Sequence, residues 1–335
     1  MVLPREILQL LIFFLVLEIV LSQLLNCTRH TNISFIPENE MMKRSTPLLL
    51  SFPGSGNSWT RKLLEYATGH YTGSVLPKDK VLWQIYESEK YCGRRQVAIK
   101  AHPAFVALRR ENDTILNPFE VDLLLGLGKC KKGLIHSFKR VLMLVRDPYD
   151  SIVANFNLER TRMNHTGLVS QQAFNLKDFM AFLHKGAQGF NASFHHVLLP
   201  MLKMNRENNK TDVHVVMYSD LIDKNKRYEV MENILSYLQF SNEDKEKTIC
   251  AFELAEDKRI HRNYSQPNIT STSFIYNCVA SYLKSIPAKK RVKDCISYKL
   301  LEDFNVYFGY PLYPSRYLSA ESNTSYEVCS SPKLL

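Results

Sequence analysis

The sequence predicts an α/β fold in which helices flank a parallel sheet, and three observations support this prediction. The chain has 335 residues, 45% of them hydrophobic and 11% aromatic, which is enough to bury a large core. Apolar runs typical of buried strands lie at residues 48–52, 97–100, 141–145 and 213–217. Amphipathic stretches typical of helices lie near residues 58–67, 119–127, 148–160, 174–189 and 228–240. Strands that alternate with helices pair in parallel, and such sheets bind ligands at the carboxyl ends of their strands.

Residues 7–25 form an apolar stretch that contains one charged residue, Glu18. Its nineteen residues, at about 1.5 Å rise each, nearly span a hydrocarbon core of roughly 30 Å. We therefore expect an uncleaved signal-anchor transmembrane helix, with residues 1–6 in the cytoplasm and residues 26–46 as a lumenal stem. A cleaved signal peptide is the alternative, because the most apolar part of the stretch is short enough for one.

Two further features place the rest of the chain in the secretory pathway. The seven cysteines include no Cys-x-x-Cys pair that would indicate zinc or redox chemistry, and they fit an oxidising compartment. Because seven is odd, at least one thiol lacks an intrachain partner, and Cys27 is the candidate for a bond between the two chains of a homodimer. Nine Asn-x-Ser/Thr sequons begin at Asn26, Asn32, Asn112, Asn164, Asn191, Asn209, Asn263, Asn268 and Asn323.

The net charge of +10 favours a partner that is an anionic ligand, a nucleic acid or an acidic surface. The basic residues are dispersed along the chain, and only residues 289–293, with the sequence KKRVK, form a short cluster. No recognisable nucleic-acid-binding motif accompanies this cluster, so we expect no nucleic-acid partner.

The segment PLLLSFPGSGNSWTRKLLEYATG at residues 47–69 combines an apolar strand, a Gly-Ser-Gly turn and the start of a helix. Backbone N–H groups at such a helix start point at a bound anion, and the helix dipole favours negative charge there. The pattern GxxxxGK[ST] of nucleotide triphosphatases is missing, so a lumenal nucleotide kinase is disfavoured. The predicted anion-binding residues of this loop are Gly54, Ser55, Gly56, Asn57 and Ser58.

A second motif, VAIKAHP at residues 97–103, brings two polar side chains to the end of a predicted strand. Lys100 and His102 are two residues apart and therefore lie on the same side of the strand. Histidine titrates near neutral pH, so His102 can take a proton from a hydroxyl nucleophile while Lys100 stabilises developing negative charge beside it.

A third motif, VLMLVRDPYDSIVANFN at residues 141–157, joins a buried strand to a helix that begins near Pro148. Arg146 stands at the strand end, where its guanidinium group can hold a phosphate with two parallel hydrogen bonds. The alternative interpretation is a salt bridge between Arg146 and Asp147 that only closes the turn.

Together and in this order, the three motifs resemble those of the sulfotransferases that use 3′-phosphoadenosine-5′-phosphosulfate as donor. The resemblance implies a P-loop-like sulfotransferase fold over residues 47–312, followed by a tail at 313–335. It also implies that the loop FPGSGNSW, including Trp59, binds the 5′-phosphosulfate, that His102 is the catalytic base, and that Arg146 holds the 3′-phosphate. It implies no metal ion.

Within that superfamily, the chain is most similar to the WSC-domain-containing sialate O-sulfotransferases, which are Golgi type II membrane proteins. The similar stretches lie within residues 46–255 and read SFPGSGNSWTRKLLEYATGHYTGS, VAIKAHP, VRDPYDSIVANFN, NHTGL and VMYSDL. We expect no WSC domain, because the stem is too short to contain one. The resemblance implies a single-pass Golgi membrane protein whose lumenal body sulfates a hydroxyl of a glycan or glycoprotein, with sialic acid as one candidate.

The first loop departs from the superfamily at Gly54, which replaces the lysine that many sulfotransferases place there. Lys100, Arg61 or Lys62 would have to supply that cation, and Lys100 is the preferred candidate because it lies beside His102.

A second departure is Ala154, which stands where the superfamily has a serine eight residues after the arginine. Ser151, one turn earlier on the same helix, is the expected substitute. The two departures leave a second interpretation open: a catalytically weak or inactive lumenal glycoprotein that retains the fold as a binding module.

Overall fold

The computed structural model describes residues 32–75, 86–103, 140–161, 168–202, 212–240 and 245–255, with a few isolated positions before residue 32. Across these residues, no helix is both long and apolar enough to cross a bilayer. The predicted helix at 119–127, most of the apolar stretch at 7–25 and the chain beyond 255 lie outside this description.

The core of the fold is a five-stranded parallel sheet with the strand order β2-β3-β1-β4-β5. The predicted α/β class and its four strands are confirmed. The fifth strand, β2, has only two residues, too few to show a period of hydrophobicity. The strands are β1 (Leu48–Ser51), β2 (Gly73–Ser74), β3 (Ile99–Ala101), β4 (Arg140–Val145) and β5 (Asp212–Met217).

Helices cover both faces of this sheet, because alternate residues of each strand point to opposite sides. The α-helices are α1 (Glu38–Met41), α2 (Asn57–Thr68), α3 (Pro148–Arg160), α4 (Leu176–Ser193), α5 (Tyr218–Ile222), α6 (Arg227–Tyr237) and α7 (Lys245–Ala255). Leu48 and Leu50 of β1 pack with the helices of one face, α3 and α4, whereas Leu49 packs with α2, α6 and α7 on the other. The helices predicted near 58–67, 148–160, 174–189 and 228–240 are confirmed as α2, α3, α4 and α6.

A disulfide bond and backbone hydrogen bonds connect the described N-terminal residues to the rest of the fold. A disulfide bond joins Cys27 to Cys250 on α7. The expectation that Cys27 links two chains is therefore wrong, because its sulfur is already bonded within the chain; the homodimer itself stays a prediction. Within the predicted stem, Ser34 forms an isolated parallel β-bridge with His70. Ile36 is buried and donates its backbone N–H to the Arg95 carbonyl at 3.0 Å.

Candidate functional site

The three motifs meet at the carboxyl edge of the sheet. The loop at residues 52–56 follows β1, His102 follows β3, and Arg146 follows β4. Since β1 lies between β3 and β4, the loop occupies the centre of this edge, with His102 on one side and Arg146 on the other. This position is where parallel sheets bind their ligands.

Both glycines of the loop are required by the backbone and by their neighbours. Gly54 and Gly56 have φ angles of 86° and 90°, in the left-handed region that other residues rarely adopt. A Cβ atom on Gly54 would lie 2.0 Å from the Ser151 carbonyl oxygen, and one on Gly56 would lie 2.3 Å from the Tyr218 ring. The missing lysine therefore cannot be restored at position 54 without moving the loop away from α3.

Ser55 and Ser151 link the loop to helix α3. Their hydroxyl oxygens are 3.2 Å apart and form a hydrogen bond, and both side chains are almost completely buried. Asp147 caps the N-terminus of this helix, and its Oδ1 accepts a hydrogen bond from the Asp150 N–H at 3.0 Å. In this arrangement Ser151, which the sequence predicted as a donor-binding residue, is hydrogen-bonded to Ser55 of the loop.

Arg146 crosses from β4 to the loop. Its Nη1 donates to the Gly54 carbonyl at 3.0 Å, and its guanidinium carbon lies 4.7 Å from the centre of the Tyr218 ring. The Nε atom of Arg146 is buried and has no hydrogen-bond partner among the residues that the structure describes. Tyr218, which contacts both Arg146 and Gly56, was missed as a site residue. Its position directly after β5 is the signal that would have found it.

The ring of His102 is fixed by the end of strand β1. Its Nδ1 lies 2.8 Å from the Ser51 carbonyl oxygen. Because a carbonyl can only accept, this hydrogen bond requires the proton on Nδ1, which leaves the lone pair of the neutral ring on Nε2. Burial, together with the nearby positive charge of Lys100, lowers the pKa of His102 to about 3. The ring is therefore neutral throughout the physiological range, and the same lowering of the pKa makes it a weaker base than a free histidine.

Lys100 points into a buried cluster of charges. Its Nζ donates to Glu89 Oε1 at 2.9 Å, and the same carboxylate pairs with Arg61. Burial raises the pKa of Glu89, but the charges of Arg61 and Lys100 outweigh this effect and hold it at about 2. Arg61 is fully buried and also donates to Thr72 and Ser88, at 2.8 Å and 2.9 Å.

The three cations considered as substitutes for the missing lysine are therefore all ion-paired. Lys100 and Arg61 share Glu89, and Lys62 lies 3.2 Å from Glu65. Glu89 gave no signal in the sequence, since it belongs to none of the three motifs.

The first turn of α2 holds the remaining predicted site residues. Asn57 donates from Nδ2 to Ser51 Oγ at 2.9 Å. Ser58 is partly buried, and its carbonyl accepts a hydrogen bond from the buried Tyr86 hydroxyl. Trp59 packs edge-on against Tyr218, with ring centres 5.8 Å apart. Among the described residues, no side chain caps this helix, so its first N–H groups are not engaged by a cap within this part of the chain.

Metal coordination finds no support in the described part of the chain, where no three His, Cys, Asp or Glu side chains come together as a ligand group.

Comparison with known proteins identifies relatives whose names describe them as WSCD family members. The chain is 28% identical over 196 residues to WSCD family member CG9164 of Drosophila melanogaster and to WSCD family member GA21586 of Drosophila pseudoobscura pseudoobscura. Each alignment covers 57% of this chain and 50% of the relative. WSCD family member AAEL009094 of Aedes aegypti is 28% identical over 131 residues, which are 39% of this chain and 32% of the relative. The chain thus spans at most about half the length of these relatives, and no protein-family model matches it.

Proposed function

We propose that this protein is a sulfotransferase of the Golgi membrane, with a single-pass type II topology and a lumenal catalytic body. It transfers a sulfuryl group from 3′-phosphoadenosine-5′-phosphosulfate to a hydroxyl of a glycan or glycoprotein, with sialic acid as one candidate acceptor. The observation that carries the proposal is the meeting of the Gly-Ser-Gly loop, Arg146 and His102 at three neighbouring strand ends. The similarity to WSCD family members agrees with it.

The donor is an anion at both of its ends, and the site has groups that fit each end. The uncapped N-terminus of α2 and the loop N–H groups would hold the 5′-phosphosulfate. The buried Nε of Arg146, which has no hydrogen-bond partner in the described chain, would donate to the 3′-phosphate. Ser55 and Ser151 would keep the loop in place through their hydrogen bond.

The reaction requires a proton acceptor beside the transferred group. The acceptor hydroxyl oxygen attacks sulfur, and its proton passes to His102 Nε2. The bond between sulfur and the bridging oxygen breaks, and its electron pair leaves with 3′-phosphoadenosine 5′-phosphate. Donors aimed at the equatorial sulfate oxygens stabilise a loose transition state, by analogy with phosphoryl transfer. Lys100, held by Glu89, contributes positive charge to this side of the site.

A second candidate function, binding without catalysis, is favoured by one specific observation. Gly54 leaves no room for the superfamily's lysine, and the three candidate cations are engaged by Glu89 or Glu65. A protein of this kind would bind the donor without turning it over.

Calorimetric titration of the detergent-solubilised full-length chain with 3′-phosphoadenosine 5′-phosphate tests the donor site. Losing one charge-assisted contact costs about 1.5–3 kcal/mol, so Arg146→Ala should weaken binding roughly 10- to 150-fold. Adenosine 5′-phosphate, which lacks the 3′-phosphate, should be affected much less. Arg160→Ala is the control, because Arg160 is exposed and pairs with Asp178 at 2.6 Å outside the site. Equal losses for both ligands would mean that Arg146 only holds the loop.

Turnover on a glycan panel separates the two candidate functions. His102→Ala should lower the rate by about 10²–10⁴ while leaving the affinity for 3′-phosphoadenosine 5′-phosphate close to that of the wild type. A folded His102→Ala protein with the wild-type rate would refute the role of His102. Donor binding by the wild type without turnover on any glycan would favour the binding module.

A further inference from the structure

A short chain of buried hydrogen bonds connects the start of α2, directly after the loop at residues 52–56 (the anion loop), to the ring of His102. Asn57, the first residue of α2, donates from Nδ2 to Ser51 Oγ at 2.9 Å. The same hydroxyl oxygen lies 3.4 Å from His102 Nδ1, whose bond to the Ser51 carbonyl is 2.8 Å long. Ser51 is 1% exposed and Asn57 is 5% exposed, so these contacts are shielded from water. Ser51 therefore touches the His102 ring with its backbone and its side chain.

The orientation of Asn57 is set by the loop that precedes it. Gly56 is fixed by its φ angle of 90° and by the Tyr218 ring packed against it. The Oδ1 atom of Asn57 is buried without a hydrogen-bond partner in the described chain, so the amide is held by its donor bond to Ser51. Any movement of the loop that shifts Asn57 therefore changes the position of Ser51 Oγ beside the imidazole.

We propose that Asn57 and Ser51 are positioning residues for His102. They hold the imidazole in the tautomer with the proton on Nδ1, and they couple the orientation of the ring to the conformation of the anion loop. This inference rests on the proposed function for the catalytic role of His102. It also gives Asn57 a role other than the donor contact expected from the sequence, because its amide N–H is directed at Ser51.

The tautomer of His102 is directly measurable. Long-range ¹H–¹⁵N spectra of the full-length chain, labelled at histidine nitrogens, distinguish the two neutral tautomers, and loss of a signal in His102→Gln assigns it. We expect the Nδ1–H tautomer and no titration between pH 8 and pH 5. Asn57→Ala should shift the Nδ1 resonance of His102 at neutral pH, because Ser51 Oγ, 3.4 Å from that atom, loses the hydrogen bond that holds it in place. An Nε2–H tautomer, or an unchanged His102 signal in Asn57→Ala, would overturn the proposal.

Turnover and donor affinity provide a second test of the positioning role of Asn57 and Ser51. Asn57→Ala and Ser51→Ala should each lower turnover about five- to tenfold, the loss expected for one hydrogen bond, while the affinity for 3′-phosphoadenosine 5′-phosphate changes less than about threefold. Because the two residues act through one contact, the double variant should lose no more than the worse single variant. Ser193→Ala is the matched control, since it removes a buried hydroxyl that bonds the Gly189 carbonyl within α4.

The two proposals fail in different ways. If Asn57→Ala weakens 3′-phosphoadenosine 5′-phosphate binding as much as it lowers turnover, Asn57 contacts the donor and the positioning role is refuted. If the wild type binds no donor, the proposed function fails, whereas the spectra of His102 still decide whether Ser51 and Asn57 fix its tautomer.

Discussion

Replacing Glu89 by glutamine should destabilise the protein by about 3–5 kcal/mol, the usual cost of removing one partner from a buried ion pair. Glu89 is fully buried and its Oε1 faces both Arg61 and Lys100. Glutamine keeps the shape and one acceptor oxygen of the side chain but removes the negative charge. The two cations would then face each other in a site that water does not reach.

The pKa of Glu89 points to an effect of the same size. Its value of about 2, against the ordinary 4.5, corresponds to about 3 kcal/mol in favour of the ionised form. Because the pKa is depressed in the folded state, this stabilisation is present at neutral pH and is lost as the pH falls from about 4.5 to about 2. The destabilisation caused by Glu89→Gln should therefore shrink in acid.

Urea unfolding of the full-length chain at pH 7 measures this effect. Glu159→Gln is the control, because Glu159 is exposed on α3, and its change should stay within about 0.5 kcal/mol. Adding Lys100→Met to Glu89→Gln removes one of the two opposed cations and should recover part of the lost stability. A loss below about 1 kcal/mol in Glu89→Gln, or no recovery in the double variant, would refute the idea that Glu89 balances the two cations.

Three further predictions follow from the site and from the N-terminal stretch. Burial and the neighbouring Asp150 raise the pKa of Asp147 from 3.8 to about 6, so stability falls as the pH rises through this interval. Asp147→Asn keeps the helix cap but cannot ionise. In urea unfolding, the free energy of unfolding of this variant, relative to that of the wild type, should therefore rise by about 2–3 kcal/mol between pH 4 and pH 7. A difference that stays constant with pH would contradict this prediction. Gly54→Lys should destabilise the protein by about 2–4 kcal/mol in thermal unfolding without raising turnover, because position 54 has a left-handed φ angle and a Cβ there would clash with the Ser151 carbonyl oxygen. A gain in turnover would show that the loop can move. Carbonate extraction should leave the chain in the membrane pellet and glycosidase should lower its apparent mass, whereas release into the medium would favour a cleaved signal peptide.

The sequence was sufficient for the framework of the fold. Buried parallel strands such as β4 are continuous apolar runs, so they stand out between amphipathic helices. The short strand β2 and the five-residue helix α5 could not be predicted, because neither is long enough to show a period. The Cys27–Cys250 pairing was equally inaccessible, since partners 223 residues apart leave no local signal.

The positions of the site residues followed from the sequence, but their contacts did not. Motifs after strands predict which residues reach the carboxyl edge of the sheet, and Gly54, His102 and Arg146 lie there. Glu89 comes from a short helical turn between strands, and only the tertiary structure brings it to Lys100. The hydrogen bond from Asn57 to Ser51 likewise depends on the exact course of the loop.

The disulfide between Cys27 and Cys250 also orders events during synthesis of the chain. Cys27 leaves the ribosome before any strand of the sheet, whereas Cys250 follows all five of them. The Cys27 thiol must therefore remain unpaired, or pair temporarily with another cysteine, until nearly the whole described body has been made. Since α7 packs against α2, closure of this bond coincides with the arrival of the last described helix behind the anion loop. Oxidation of Cys27 with its native partner is thus a late event, and a chain that carries the native bond has already had all five strands synthesised.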